Sequence, residues 1–309
     1  MNPVLVTGAS GFLGRQMVRT LVRQGFDAVS IFHTTGFDED RRHFRLDLRD
    51  TAALQKLFRQ FRFSAVIHLA ASGVSAEAEN FEDMVAINTL ASAALARTAL
   101  ASGIERFLYV GSGFEYRPQA HAMDESTPLG APNLYGASKA AGWMLLDTLH
   151  RVEGLPLVTV RPFSIYGPGE NPAKLVPYTI LQALHREPIR LTLGSQVRDY
   201  VFVEDVVEAL RLALGAPSAV GQVYNIGAGP HDARSVRQLL EEILSLMGAP
   251  RRLCWFDRSS RGRRDPPYLV SDPTKAHVEL GWRPRVTLED GLARTIAWYK
   301  ASAVKEMSA

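Results

Sequence analysis

The chain has 309 residues, 46% of them apolar and 22% charged, a formal net charge of +3 and one cysteine. That balance fits a globular chain with a large core and argues against a polyanion-binding protein. The lone Cys254 excludes an intrachain disulfide and a cysteine-ligated zinc, and no metal site is expected. Only six of the 35 basic residues are lysine, an arginine bias that suits bidentate recognition of diphosphates or reflects genomic composition. The first strand begins a few residues after Met1, so no signal peptide is expected. No apolar run reads as long enough to span a bilayer. The expectation is a cytoplasmic protein with no nucleic-acid and no membrane partner.

In chain order, Val4-Leu5-Val6-Thr7 reads as a buried strand that runs into Gly8-Ala9-Ser10-Gly11-Phe12-Leu13-Gly14 and then an amphipathic helix. Gly8 permits a tight turn, Gly11 lets the backbone approach a pyrophosphate, and Gly14 lets the helix pack close to the strand. The N–H groups and positive dipole end of the helix then point at the phosphates. Ser10, Phe12 and Leu13 complete the turn, and Arg15 follows it directly. A lone glycine triplet is a weak signal; the strand before it and the helix after it make this one strong.

Short, nearly all-apolar runs place strands at 3–7, 27–32, 43–46, 64–69, 106–111 and 156–161. Strands covered by helices on both faces look like this. Helices are expected at 12–24, 51–60, 77–102, 134–152, 204–214, 234–247 and 287–302. Alternating strands and helices predict an α/β fold, a doubly wound parallel (Rossmann) sheet with ligands beyond the carboxyl ends of its strands. After about residue 165, prolines punctuate the pattern and elements shorten; 251–268 reads as a loop and the last six residues as frayed. The dinucleotide-binding domain is placed at 1–164 plus about 196–227, and a smaller C-terminal substrate-binding lobe at about 165–195 and 228–303.

Tyr135 and Lys139 lie four apart on one helix face. A nearby ammonium is expected to lower the phenol pKa and fit Tyr135 for general acid/base work. Ser112, after the strand at 106–111, puts a hydroxyl at the carboxyl edge of the sheet. At the end of the second strand, Ile31-Phe32-His33-Thr34-Thr35 carries no acid. A 2′-phosphate would be welcomed there by Arg15, His33 and the threonines, so NADP(H) is the expected cofactor; NAD(H) is the alternative, with Asp38 or Glu39 curling back to the ribose.

Glycine turn, edge serine and Tyr-x-x-x-Lys together resemble the extended short-chain dehydrogenase/reductase family, in its sugar-nucleotide epimerase/dehydratase/reductase branch. Asp47-Leu48, His68-Leu69-Ala70-Ala71, Asn88, Arg161-Pro162-Phe163-Ser164-Ile165-Tyr166-Gly167-Pro168-Gly169, Arg198-Asp199-Tyr200 and Leu280-Gly281-Trp282 match in order and spacing over nearly the whole chain. The resemblance implies Tyr135 as general acid/base, Lys139 on the nicotinamide ribose and Ser112 on the substrate oxygen. Asp47 and Leu48 would flank the adenine. Leu69, Ala70, Ala71, Asn88 and Pro162 would line the cofactor cleft. Arg198, with Arg263 or Arg264, would clamp the nucleotide diphosphate, and Ser164 would face the substrate.

The family's dehydratases carry an Asp-Glu pair directly after the catalytic hydroxyl residue; here those positions are Gly113 and Phe114, which argues against dehydration. Glu115, one place later, is expected to turn elsewhere by alternation along an extended segment. The expected activity is therefore 4-ketoreduction of a nucleotide-activated 4-keto-6-deoxyhexose. The alternative is a 4-epimerase with tightly held NAD, and a third reading is a non-catalytic NADP sensor. The segments 84–100 and 138–152 are rich in small residues (Ala91, Ala93, Ala94, Ala96; Ala140, Ala141, Gly142), which predicts a homodimer through a four-helix contact with Leu95 facing the partner.

Overall fold

Val4–Thr7 is fully buried and forms β1, an interior strand of a seven-stranded sheet. β1 pairs in parallel with β2 (Ala28–Phe32) on one side and β4 (Ala65–His68) on the other. With β3 (His43–Arg45), β5 (Arg106–Val110), β6 (Leu157–Pro162) and β10 (Val223–Ile226), the order is β10-β6-β5-β4-β1-β2-β3, and every pairing is parallel. The chain reverses its direction of travel across the sheet between β1 and β4, which opens a crevice beyond their carboxyl ends. The structure is a computed structural model describing residues 3–33, 42–74, 80–256 and 265–306.

Helices cover both faces. α1 (Phe12–Arg23) and α7 (Val203–Gly215) bury Met17, Val18, Leu21, Val206 and Leu210 on one face. The other face takes α2 (Thr51–Gln60), α4 (Ser92–Ala101) and α5 (Leu134–Glu153). A four-residue α3 (Phe81–Met84) and a π-helical stretch, Val85–Ala91, lead into α4 without a break. Contrary to expectation, Phe81–Ala101 is long and apolar enough, by length and composition, to cross a bilayer. In the fold its Asn88, Ser92, Leu95, Ala96 and Ala99 are buried as part of the core.

The shorter elements after residue 165 build a second layer. β7 (Ser164–Tyr166), β11 (Ala233–Ser235) and β13 (Tyr268–Leu269) all pair with β9 (Val197–Phe202). Thus the start of the 196–227 segment pairs in this small sheet, while α7 and β10 pack into the large one. α6 (Leu175–His185), α8 (Val236–Met247) and, after a short α9 (Thr274–Glu279), α10 (Leu288–Glu306) follow; α6, α8 and α10 enclose a separate core with Tyr166, Ile180, Leu239 and Ile296. The expected loop at 251–268 instead holds a 3-10 turn, Arg251–Leu253, and β12 (Cys254–Phe256), paired with β8 (Ile189–Leu191). α10 also continues past the expected end at 302.

Candidate active site

The glycine turn is built as its spacing predicts. Gly8 has φ +67°, and a Cβ there would lie 2.7 Å from the Ala70 backbone nitrogen. A Cβ on Gly14 would fall 2.1 Å from the Gly8 carbonyl oxygen, so helix and strand touch backbone to backbone. Gly11 is the N-cap of α1 and supplies no side-chain cap. The first-turn N–H groups are left to an outside acceptor, and at Gly11 nothing but the Gly8 oxygen, 3.2 Å from an added Cβ, would crowd the approach. These residues fit the pyrophosphate of a dinucleotide. Leu69, Ala70 and Ala71 follow β4 half-buried at the same crevice.

Several expected cofactor contacts are spent inside the protein. Asn88 is fully buried: its Oδ1 accepts from the Ser72 backbone N–H at 2.8 Å, and its Nδ2 donates to the Ser72 carbonyl and the Ser138 hydroxyl at 2.9 Å. Leu48 is buried in the core. The Asp47 carboxylate accepts from the Arg49 backbone and guanidinium, which hold its pKa below the usual range, and sits 3.6 Å from His33 Nε2. Arg15, expected near the end of β2, instead donates to the carbonyls of Ser10 (2.8 Å) and Gly169 (3.1 Å). It ties the glycine turn to the loop after β7. Phe12 and Leu13 pack against the core of the second layer.

β5 ends at Val110, two residues before Ser112, and α5 begins at Leu134 with Asn133 as N-cap, its Oδ1 accepting from the Gly136 N–H at 2.8 Å. These two starts bring Ser112, Tyr135 and Lys139 together. The Ser112 side chain faces the Tyr135 phenol and acts on its proton affinity. The expected lowering of the phenol pKa is not found: burial, with the Glu115 charge second, pushes the phenol above its ordinary value, and only the Ser112 side chain pulls it down. Lys139 is buried, with its ammonium 4.3 Å from the centre of the Tyr109 ring. Burial lowers its pKa to about 8, opposed by Glu115. A phenol held protonated beside a hydroxyl is set to give a proton to an oxygen.

Glu115 does turn away from the crevice, though through a 3-10 turn (Gly113–Glu115) and not an extended segment. Its Oε2 accepts from Arg161 Nε at 2.7 Å, and both side chains are buried. The sequence reading missed this pair. Its signal was a charged residue, Arg161, in an otherwise uncharged buried strand, because such a charge requires a buried partner.

Pro162, expected in the cofactor cleft, ends β6 and is buried; on the substrate side, Ser164 opens β7 half-buried. Arg198 is 7% exposed; Nη1 donates to the Val197 carbonyl at 2.7 Å and Nη2 lies 3.9 Å from Asp265. Arg263 and Arg264 lie outside the described residues. Beside Arg198, the buried Asp199 accepts from the Ser271 N–H (3.0 Å) and hydroxyl and the Gly229 N–H (3.3 Å); burial pushes its pKa up to about 7. Asp199 thus pins two loops around Arg198.

Residues 4–227 match the model of the NAD dependent epimerase/dehydratase family. A dTDP-glucose 4,6-dehydratase of Actinoplanes sp. is 32% identical, over 97% of this chain and 98% of that protein. Among solved structures, UDP-glucose 4-epimerase of Thermotoga maritima, with UDP-glucose, superposes with a TM-score of 0.90 at 25% identity, covering 97% of this chain and 99% of that one. A dTDP-glucose 4,6-dehydratase of Streptomyces venezuelae with NAD bound gives 0.89 at 28% identity, with 98% of each chain covered. The chain belongs to the NAD-dependent epimerase/dehydratase family, in the extended short-chain dehydrogenase/reductase branch.

Proposed function

We propose that this member of the NAD-dependent epimerase/dehydratase family reduces the 4-keto group of a nucleotide-activated sugar. The observation that carries the reading is the Ser112 turn: Gly113 and Phe114 follow the hydroxyl, and the next carboxylate, Glu115, is locked to Arg161. No acid is placed there to drive water elimination, although the relative from Actinoplanes is named a dehydratase. The bound dinucleotide supplies the hydride. Tyr135 gives its phenolic proton to the developing alkoxide and regains one from solvent, Ser112 donates to the same oxygen, and Lys139 holds the ribose while its ammonium stabilises the transient phenolate. Arg198 receives the diphosphate. Screening nucleotide-activated 4-keto sugars for oxidation of the reduced dinucleotide tests the reading. Turnover of a 4-keto sugar supports it; dehydration of a nucleotide hexose overturns it.

The likeness to the UDP-glucose 4-epimerase favours a second reading, because Ser112, Tyr135 and Lys139 serve epimerisation equally. An epimerase would purify with its dinucleotide retained and show no net redox turnover.

For the cofactor, the preference for NADP(H) rests on His33, joined by Arg45, whose Nε donates to the His33 carbonyl at 3.1 Å, and no longer on Arg15; Thr34, Thr35, Asp38 and Glu39 lie outside the described residues. The solved dehydratase with NAD supports NAD(H) as the alternative. Comparing NADPH and NADH by nicotinamide fluorescence titration decides between them. Assembly as a homodimer is supported by the exposed apolar side chains Phe81, Leu90, Leu134, Met144 and Leu145 on the paired helices around α3 and α5. Leu95 is fully buried against its own sheet, so it does not face a partner.

A further inference from the structure

Ser112 Oγ accepts from the Phe114 N–H at 3.2 Å, and the Ser112 N–H donates to Glu115 Oε1 at 2.8 Å. The two bonds close a capping box around the turn that carries the hydroxyl. A Cβ on Gly111 would fall 2.3 Å from Glu115 Oε1, so the carboxylate lies directly against the backbone leading into Ser112. Its other oxygen is held by Arg161. The Arg161 guanidinium is in turn flanked by the rings of Tyr116 and Trp143, 4.8 and 4.6 Å from their centres. Arg161 Nη1 donates to the Tyr116 hydroxyl at 2.9 Å, and that hydroxyl donates to Asn225 Oδ1 at 2.8 Å. The carboxylate is therefore anchored through β6 and β10, independently of the crevice.

We infer that Glu115 is the positioning residue of the proton-transfer centre: it fixes the Ser112 peptide from beneath and sets one negative charge under Tyr135 and Lys139. The inference rests on the reading of Tyr135 as the proton carrier. The ionisable groups facing this charge are Arg161 on β6, Tyr109 on β5, Tyr116 and Glu125 in the following segment, and Tyr135 and Lys139 on α5, with His68 beyond Lys139. Of these, Glu115 acts on Tyr135 and Lys139 in one direction, favouring the proton-bound form of each. Arg161 neutralises the pair as a whole, but its guanidinium points to the Tyr116 side. Glu115 thus acts on Ser112 through the bond to its backbone and on Tyr135 through its charge, with no contact to substrate.

The test is Glu115→Gln, which keeps the acceptor for the Ser112 N–H and removes the charge. Should the lone Arg161 charge prevent folding, Glu115→Gln combined with Arg161→Met removes both charges at similar volume. In either variant the midpoint at which Tyr135 loses its proton falls, by about one pH unit or more. The pH profile of kcat moves to lower pH whether Tyr135 gives the proton or takes it, while KM and the dinucleotide Kd stay within about twofold. A structural role alone would lower kcat at every pH without moving the midpoint. Should the wild type turn over no nucleotide sugar, the proton-carrier reading fails by itself. The Glu115 effect is then read without substrate, as the phenolate absorbance that Tyr135→Phe removes, titrated with and without the Glu115 change. A folded variant whose Tyr135 titrates at the wild-type pH overturns the inference.

Discussion

Asn88 Nδ2 donates to Ser138 Oγ at 2.9 Å, and through it the helix that carries Tyr135 and Lys139 is fastened to the loop after β4. The π-helical stretch Val85–Ala91 contains Asn88, and the Thr89 hydroxyl adds a bond to the Ser138 carbonyl at 2.9 Å. One side chain so joins the floor of the dinucleotide crevice to the proton-transfer helix. Asn88→Ala would leave the Ser72 N–H and carbonyl without this partner inside the protein. A loss of about 1–3 kcal/mol is expected. Urea unfolding should show it, together with weaker dinucleotide binding; unchanged stability would mean that the Ser72 loop holds itself.

Gly11 and Gly14 should respond differently to alanine. At Gly14 the new methyl would collide with the Gly8 carbonyl and with the Ala9 backbone at 2.8 Å, so Gly14→Ala lowers both melting temperature and dinucleotide affinity. At Gly11 the methyl meets only the Gly8 oxygen at 3.2 Å. Gly11→Ala should keep the melting temperature within a few degrees while weakening dinucleotide binding by tenfold or more, at about 1.4 kcal/mol per decade. Fluorescence titration beside a thermal melt separates the two; equal affinity in Gly11→Ala and wild type would count against the pyrophosphate site.

Tyr135→Phe removes the phenol and keeps the ring. Loss of one positioned acid/base group costs about a hundredfold to ten-thousandfold in rate. Turnover should fall in that range with an unchanged dinucleotide Kd. Retention of a third or more of wild-type kcat would remove Tyr135 from the assigned role.

His68 accounts for a pH dependence of stability. It is fully buried between the Thr7 hydroxyl (Nδ1, 2.7 Å) and the Ser92 hydroxyl (Nε2, 2.8 Å), and burial, aided by the Lys139 charge, pushes its pKa from 6.5 down to about 3. A depressed histidine stabilises the fold above the unfolded pKa, and that stability is lost as pH falls from 6.5 toward 3. The wild-type melting temperature should therefore drop more steeply over this window than that of His68→Gln, whose amide stays neutral. Parallel curves for the two proteins would show that His68 takes up its proton while folded.

The dimer is tested at Leu90, which is 60% exposed. Leu90→Arg should convert a species of twice 34.1 kDa into one of 34.1 kDa in light scattering without a change in circular dichroism. A wild type that is monomeric at tens of micromolar would refute the proposal.

The sequence alone determined six of the seven strands of the large sheet and the glycine turn; the edge strand β10 is not among the expected strands. Residues 4–6, 65–67 and 107–110 are runs of buried apolar residues between helices, a signal that lies within a few residues of chain. Gly8, Gly11 and Gly14 likewise act on their immediate neighbours. The same holds for the pairing of Tyr135 with Lys139 along one helix. What only the tertiary structure decided depends on partners far apart in the chain. β13 is two residues long and β7 and β11 three, too short for any periodicity; they become strands because β9 pairs with each of them. Arg15 reaches Gly169 across 154 positions, which no local pattern encodes. Glu115 and Arg161 are 46 apart, and only the parallel pairing of β5 with β6 sets them side by side beneath Ser112. The ionisation of Tyr135 follows the same division. Sequence spacing placed Lys139 on the same helix face, but burial first and the unforeseen Glu115 charge second raise the phenol's pKa, because in a desolvated site the loss of water and a nearby charge dominate.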